Sequence, residues 1–131
     1  MIGHSLAFTL LDGSFAVVKL GPMEETPSWA GGGPFVSVTR TDEELSVVCR
    51  EGRVPGGARS ERGLKCLKVE GPFDFAAVGV VASFASALAI AAVSIFVVST
   101  FDTDYLLVKE ADLDKAAAVL REAGHRVHLA S

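Results

Sequence analysis

The stretch Phe75-Ala76-Ala77-Val78-Gly79-Val80-Val81-Ala82-Ser83-Phe84-Ala85-Ser86-Ala87-Leu88-Ala89-Ile90-Ala91-Ala92-Val93-Ser94-Ile95-Phe96-Val97-Val98-Ser99-Thr100-Phe101 holds no charged residue. Its length suits a membrane span, which needs about 20 apolar residues. The composition inside it argues otherwise. Ala76 to Ala92 is Ala-rich, with Val, Leu and Phe at helical spacing. Val93 to Thr100 is β-branched and aromatic, which is strand chemistry. The run reads as a buried helix that turns into a buried strand, both in the core of a soluble α/β domain. It ends at Thr100-Phe101-Asp102-Thr103-Asp104, where polar groups crowd the tip of an apolar element. A small ligand can be held there.

The neighbours of this run complete a pattern. Leu64-Lys65-Cys66-Leu67-Lys68-Val69-Glu70 alternates as a strand. Gly71-Pro72-Phe73 breaks it, and Asp74 stands where a helix N-cap belongs. The helix is expected to run from Asp74 to about Ala91. After Asp102-Thr103-Asp104, Tyr105 to Lys109 pairs back as a hairpin. Asp112 is placed to cap a second helix, in which Leu113, Ala116, Ala117 and Leu120 fall on one apolar stripe. Gly124 suits the left-handed position after its end. Arg126 to Leu129 closes the domain as a strand. The order β-α-β-β-α-β is the ferredoxin-like arrangement. Right-handed crossovers put both helices on one face of a four-stranded antiparallel sheet.

The first half reads as a similar but abbreviated unit. Ser5 to Leu11 and Phe15 to Leu20 flank Asp12-Gly13, a hairpin signal. Met23 to Pro34 is rich in Pro and Gly, with Trp29 as the anchor of a possible short helix. Phe35 to Arg40 and Leu45 to Arg50 form a second hairpin across the polar turn Thr41 to Glu44. Gly52 to Gly63 reads as a long loop. The expected division is residues 1–60 and 61–131.

Composition bounds the function. The chain has 131 residues, 50% hydrophobic and 21% charged, enough for a sizeable core. Its net charge of −4 and pI near 5.3 disfavour nucleic acid, because phosphate contacts need clustered Lys and Arg. Cys49 and Cys66 lie in apolar strands and read as buried reduced thiols. The N-terminus lacks a basic segment followed by an apolar run, so a cytoplasmic location is expected. No membrane span is expected.

Catalytic and metal patterns are missing. There is no nucleophile elbow, P-loop or zinc-binding H-E-x-x-H. His4, His125 and His128 stand near the chain ends, away from any nucleophile. No cofactor or metal is expected, and the chain is read as a non-enzyme. The sharper lead is the loop Glu70-Gly71-Pro72-Phe73-Asp74. Gly71 lets backbone approach a ligand closely, and open amides at a helix start hold carboxylates. Asp102 and Asp104 offer acceptors for an ammonium or guanidinium. An anion-binding end facing a cation-binding end suits a zwitterion such as a free amino acid. The plainer reading makes Asp74 a cap and Asp102-Thr103 a hairpin turn. Phe84, Leu88 and Phe96 read as core.

Leu64 to Phe75, together with Val93 to Lys109, resembles the ACT-domain family. Phe35 to Thr41 with Glu44 to Cys49 is similar to the N-terminal unit of the same group. Within the family, the chain most resembles small bacterial proteins with two ACT units, similar to the ACT pairs of the cytosolic arginine sensors of animals. The Ser99-Thr100-Phe101-Asp102-Thr103-Asp104-Tyr105 stretch is the specific part. The resemblance implies an α+β chain of two ferredoxin-like ACT units, the first abbreviated. It implies a regulatory protein that binds an amino acid between ACT units, commonly across a homodimer interface. Carried over by motif, the ligand-binding positions are Val69, Glu70 and Gly71 on the loop, with Thr100, Phe101 and Asp104 on the strand end. The sensors hold four units in one chain and this chain two, so such a site is expected to form from two copies. The alternative is an interaction module that holds no ligand.

Overall fold

The computed structural model describes residues 5–71 and 78–129. Its contacts divide the chain into two compact units, Asp12–Leu64 and Met1–Leu11 with Lys65–Ser131.

The second of these is built on strands β1 (Ala7–Leu10), the end of β5 (Ser60–Val69), β6 (Ile95–Ser99), β7 (Asp104–Lys109) and β8 (Arg126–His128). The order is β8-β1-β5-β7-β6. Helices α1 (Ala82–Ile90) and α2 (Leu113–Glu122) pack into one core with this sheet. Phe84 and Leu88 from α1 meet Ala116, Ala117 and Leu120 from α2 over Phe8, Leu67, Val69, Leu106 and Val108. Each Leu or Phe so buried contributes about 1.5–3 kcal/mol. The Phe8 and Phe84 rings meet edge to face with centroids 5.5 Å apart, a favoured geometry for aromatic pairs. The apolar stripe read for α2 is the buried one. Gly124 closes it at φ 98°, where the His125 amide donates to the Leu120 carbonyl and the Gly124 amide to Arg121. Those two bonds satisfy carbonyls that the helix end leaves open.

The first of the two, Asp12–Leu64, has strand order β3-β4-β2-β5, from β2 (Phe15–Leu20), β3 (Ser37–Arg40), β4 (Leu45–Arg50) and the start of β5. All its described pairings are antiparallel. A single 3-10 turn, Ser28–Ala30, stands where the other unit has its first helix. Trp29 packs against a core of Ala16, Val18, Leu45, Val47 and Cys49. The fold is α+β and ferredoxin-like, built on a mainly antiparallel sheet in which β1 and β8 pair in parallel.

Several expectations change. Asp12-Gly13 does not turn a hairpin: β1 and β2 both run antiparallel to β5, against residues 67–69 and 60–64. β5 is long enough to template both, so the chain continues along it instead of reversing. β1 lies between β5 and β8, and it pairs with β8 in parallel. The unit around α1 and α2 therefore has five strands, one of them from the N-terminal segment, where the sequence suggested four. β5 begins at Ser60 inside the expected loop. Asp74 lies outside the described residues, and α1 begins at Ala82. Gly79, at φ 83°, and three nearby valines disfavour an earlier described start. Asp112 precedes α2 without capping it through its side chain. Phe96 is 39% exposed, not core. Among the described residues no helix is long and apolar enough to cross a membrane.

Candidate functional site

The site expected from sequence lies where β5 ends and where β6 turns into β7. Cross-strand pairing sets it up, because Ser99 and Asp104 are directly opposed in the β6–β7 register. The turn between them is closed by the Thr100 amide donating to the Thr103 carbonyl at 2.8 Å. The Thr100 hydroxyl also donates to that carbonyl at 3.1 Å. This compact turn leaves Phe101 at its tip, 82% exposed.

One long-range bond joins the two halves of the site. The Thr103 hydroxyl donates to the carbonyl of Val69, 34 residues earlier in the chain. The loop after β5 and the tip of the β6–β7 hairpin are thereby held against each other. Val69 is fully buried, and Glu70 and Gly71 emerge beside it as exposed residues. The Glu70 amide is already committed, donating to the Ala7 carbonyl at 2.8 Å. Its carboxylate stands 4.0 Å from the Lys68 ammonium, both partly exposed, a pairing that contributes little.

Asp104 is the unusual group. It is 8% exposed. Its Oδ1 accepts a 2.5 Å hydrogen bond from the Ser99 hydroxyl. Among the described residues no cation lies within 4.0 Å of it. Burying a carboxylate is costly unless a positive charge or several donors compensate. A neutral hydroxyl is weak compensation, so the carboxylate retains acceptor capacity for a cationic group.

The structure joins Val69 to the Thr100–Asp104 turn, with Glu70 and Gly71 following it in sequence. The described part of α1 starts at Ala82, and residues 72–77, where the helix amides were expected to hold a carboxylate, lie outside the described residues. Sequence reading assigned Thr103 to the turn alone. No local signal marks a hydroxyl that bonds across 34 residues. His125, set aside as a chain-end residue, is buried: its Nδ1 accepts from the Leu6 amide at 3.0 Å and its Nε2 donates to the Ser83 carbonyl at 2.9 Å. It pins β1 to α1 rather than forming part of the site. Cys66 is fully buried, and burial pushes its thiol up to about 12. Cys49 is also free and buried, and its thiol is raised mainly by burial. In both, burial disfavours the thiolate form that nucleophilic attack needs.

Residues 59–122 match the family model of the ACT domain. The chain carries an ACT domain. In this ACT-domain protein a second model, of an N-terminal domain, matches residues 13–57. A crystal structure of a protein from Agobacterium tumefaciens is 45% identical, with a TM-score of 0.93, and the match covers 98% of this chain and 96% of that one. The ACT-domain protein belongs to the same family as that relative. A Vibrio cholerae protein of unknown function, described as a possible transport protein, is 21% identical with a TM-score of 0.74 over 92% and 91% of the two chains. The regulatory subunit of aspartate kinase from Thermus flavus shares the fold, at 10% identity and a TM-score of 0.60 over 94% and 99%. No curated protein matches the sequence at a significant level.

Proposed function

We propose that this ACT-domain protein is a non-enzymatic regulatory protein that binds a free amino acid. The ligand is held between ACT units contributed by two copies of the chain. Asp104 receives its cationic group, Val69, Glu70 and Gly71 line one side, and Thr100 and Phe101 cover the other. The protein works in the cytoplasm as a homodimer of two-unit chains. The ACT match supports a small-molecule regulatory role, and the regulatory subunit that shares the fold is consistent with it.

The observation that carries the reading is the Asp104 carboxylate, buried with one neutral donor, beside a loop tied to it through Thr103. A charge-assisted contact there contributes roughly 1.5–3 kcal/mol, which is about tenfold to a hundredfold in affinity. Calorimetric titration against the twenty amino acids tests it. Saturable binding by at least one is expected, and Asp104→Asn is expected to weaken it by about tenfold or more. The variant keeps an oxygen for the Ser99 hydroxyl and removes an uncompensated buried charge, so its unfolding midpoint should match or exceed that of the parent. No titration better than about 1 mM would count against the reading.

A second reading is an interaction module that holds no ligand. The exposed, uncharged β6 edge and the exposed Phe101 favour it. Flat titrations together with a co-purifying partner would select it.

A further inference from the structure

A second polar cleft lies wholly within residues 12–64, the unit that does not carry the ligand site proposed above. β2 and β5 lose register there: two steps along β2, Phe15 to Val17, face three along β5, Leu64 to Glu61. The extra residue is accommodated at Gly63, whose φ is 73° and whose amide donates to the Glu51 carboxylate at 2.6 Å. Bulges of this kind splay a sheet and re-aim side chains, and they are common beside binding sites. Next to this one a cleft of about 170 Å³ opens, lined by Lys19, Glu44, Ser46, Arg59, Ser60 and Glu61 over a floor of Val17 and Val18.

The register explains how these side chains meet. Lys19 is paired with Ser46, Val17 with Glu61 and Val18 with Ser60. The Lys19 amide donates to the Arg59 carbonyl at 3.0 Å, which brings Arg59 alongside. Two cations and two carboxylates thus share one small cleft. Among the described residues none of the four is within 4.0 Å of an opposite charge. Lys19, Arg59 and Glu61 are exposed and Glu44 is half-buried, so each charge can reach a ligand.

We propose that this cleft binds a small zwitterion. Its carboxylate is taken by Lys19 and Arg59, its ammonium by Glu61, which shares the Val17 level of β2, and the Ser46 hydroxyl completes the contacts, the Ser60 hydroxyl being committed to the Ala58 carbonyl at 3.3 Å. The volume is well below the roughly 300–1,000 Å³ of drug-sized sites, so the ligand is a molecule of a few heavy atoms. The inference does not rest on the Asp104 site, because every lining residue belongs to the other unit.

Amide chemical shifts of the full-length protein, titrated with glycine, β-alanine and γ-aminobutyrate, test the proposal. Acetate and methylammonium serve as single-charge controls. At least one zwitterion should give saturable shifts at residues 17–19, 44–46 and 59–61, with an apparent Kd at least tenfold lower than either control. The exposed double variant Lys19→Ala, Arg59→Ala should raise that Kd at least tenfold, and Glu61→Gln should raise it severalfold. Asp104→Asn should leave it unchanged. The proposal is overturned if no zwitterion moves these amides, if acetate alone matches them, or if the Lys19, Arg59 variant binds as the parent does. Shifts confined to residues 99–104 would overturn it while supporting the first site. The reverse pattern would do the opposite.

Discussion

At the scale of single residues, the site depends on a hydroxyl that sequence reading undervalued. Thr103 was legible as part of a turn because Asp-Thr dipeptides after a strand form turns. Its bond to Val69 was not legible, since no periodicity or motif encodes a contact between a hairpin tip and a distant strand end. Asp104 was legible as a candidate because the turn does not need its carboxylate. Its burial was not, because that follows from β7 starting at Asp104, opposite Ser99. Replacing Thr103 by the near-isosteric Val leaves the Val69 carbonyl without its donor. An unsatisfied buried acceptor costs about 1–3 kcal/mol. Urea unfolding of Thr103→Val should show a loss of that size, and amino-acid affinity should fall with it. An unchanged midpoint would mean that water replaces the hydroxyl and that the two halves of the site are held by other contacts.

At the scale of elements, α2 was read almost completely, because an amphipathic stripe followed by a left-handed Gly is a local pattern. α1 was not. A helix apolar on all sides gives no face to the periodicity, and its described start is set by Gly79 rather than by a polar cap. Its end carries a cost of its own. Val93 donates to Leu88 and Ala92 to Ala89, the same closure as at Gly124, but here Ala92 takes the left-handed conformation at φ 61°. That conformation costs an L-residue about 1–2 kcal/mol. Ala92→Gly removes the strain and adds unfolded-chain entropy. The net expectation is a stabilisation of about 0.5–1 kcal/mol, read from thermal or urea unfolding. A destabilised Gly variant would contradict it. β6 is the second element with a consequence. It pairs with β7, its outer edge is unpaired among the described strands, and it carries no charge. Such an edge invites another chain, and a lysine on it discourages pairing. With the proposed homodimer, Phe96→Lys should lower the sedimentation mass towards one chain without altering the circular dichroism spectrum. An unchanged mass would place the dimer contact elsewhere.

At the scale of the whole molecule, the class of fold was legible because strand and helix chemistry alternate in a fixed order. The partners of the N-terminal strand were not. Placing β1 between β5 and β8 is a long-range choice between edges. Local patterns set which residues form a strand, while the neighbours it takes depend on which buried face it completes. Phe8 is fully buried in the core with Phe84 and Leu88, and this burial draws the N-terminal strand to that sheet. Cys66, on β5, is fully buried as well, which gives the fold a pH dependence on the alkaline side. An unfolded thiol ionises near 9, and the folded one is held up to about 12. The folded state therefore binds the proton more tightly. The resulting stability is complete below about pH 9 and is lost as pH rises towards 12. Thiol-reactive dye at pH 8 should leave Cys66 unlabelled in the native protein and label it in denaturant. Rapid native labelling would contradict the burial.

The measurement that bears most directly on the ligand site is a crystal structure of the protein grown with whichever amino acid binds best in titration. Density for the ligand is expected between Gly71 and the Asp104 carboxylate. Its ammonium or guanidinium should lie within hydrogen-bonding distance of Asp104, and Phe101 should pack over it. A ligand bound elsewhere, with Asp104 contacting only Ser99 in every copy, would contradict it.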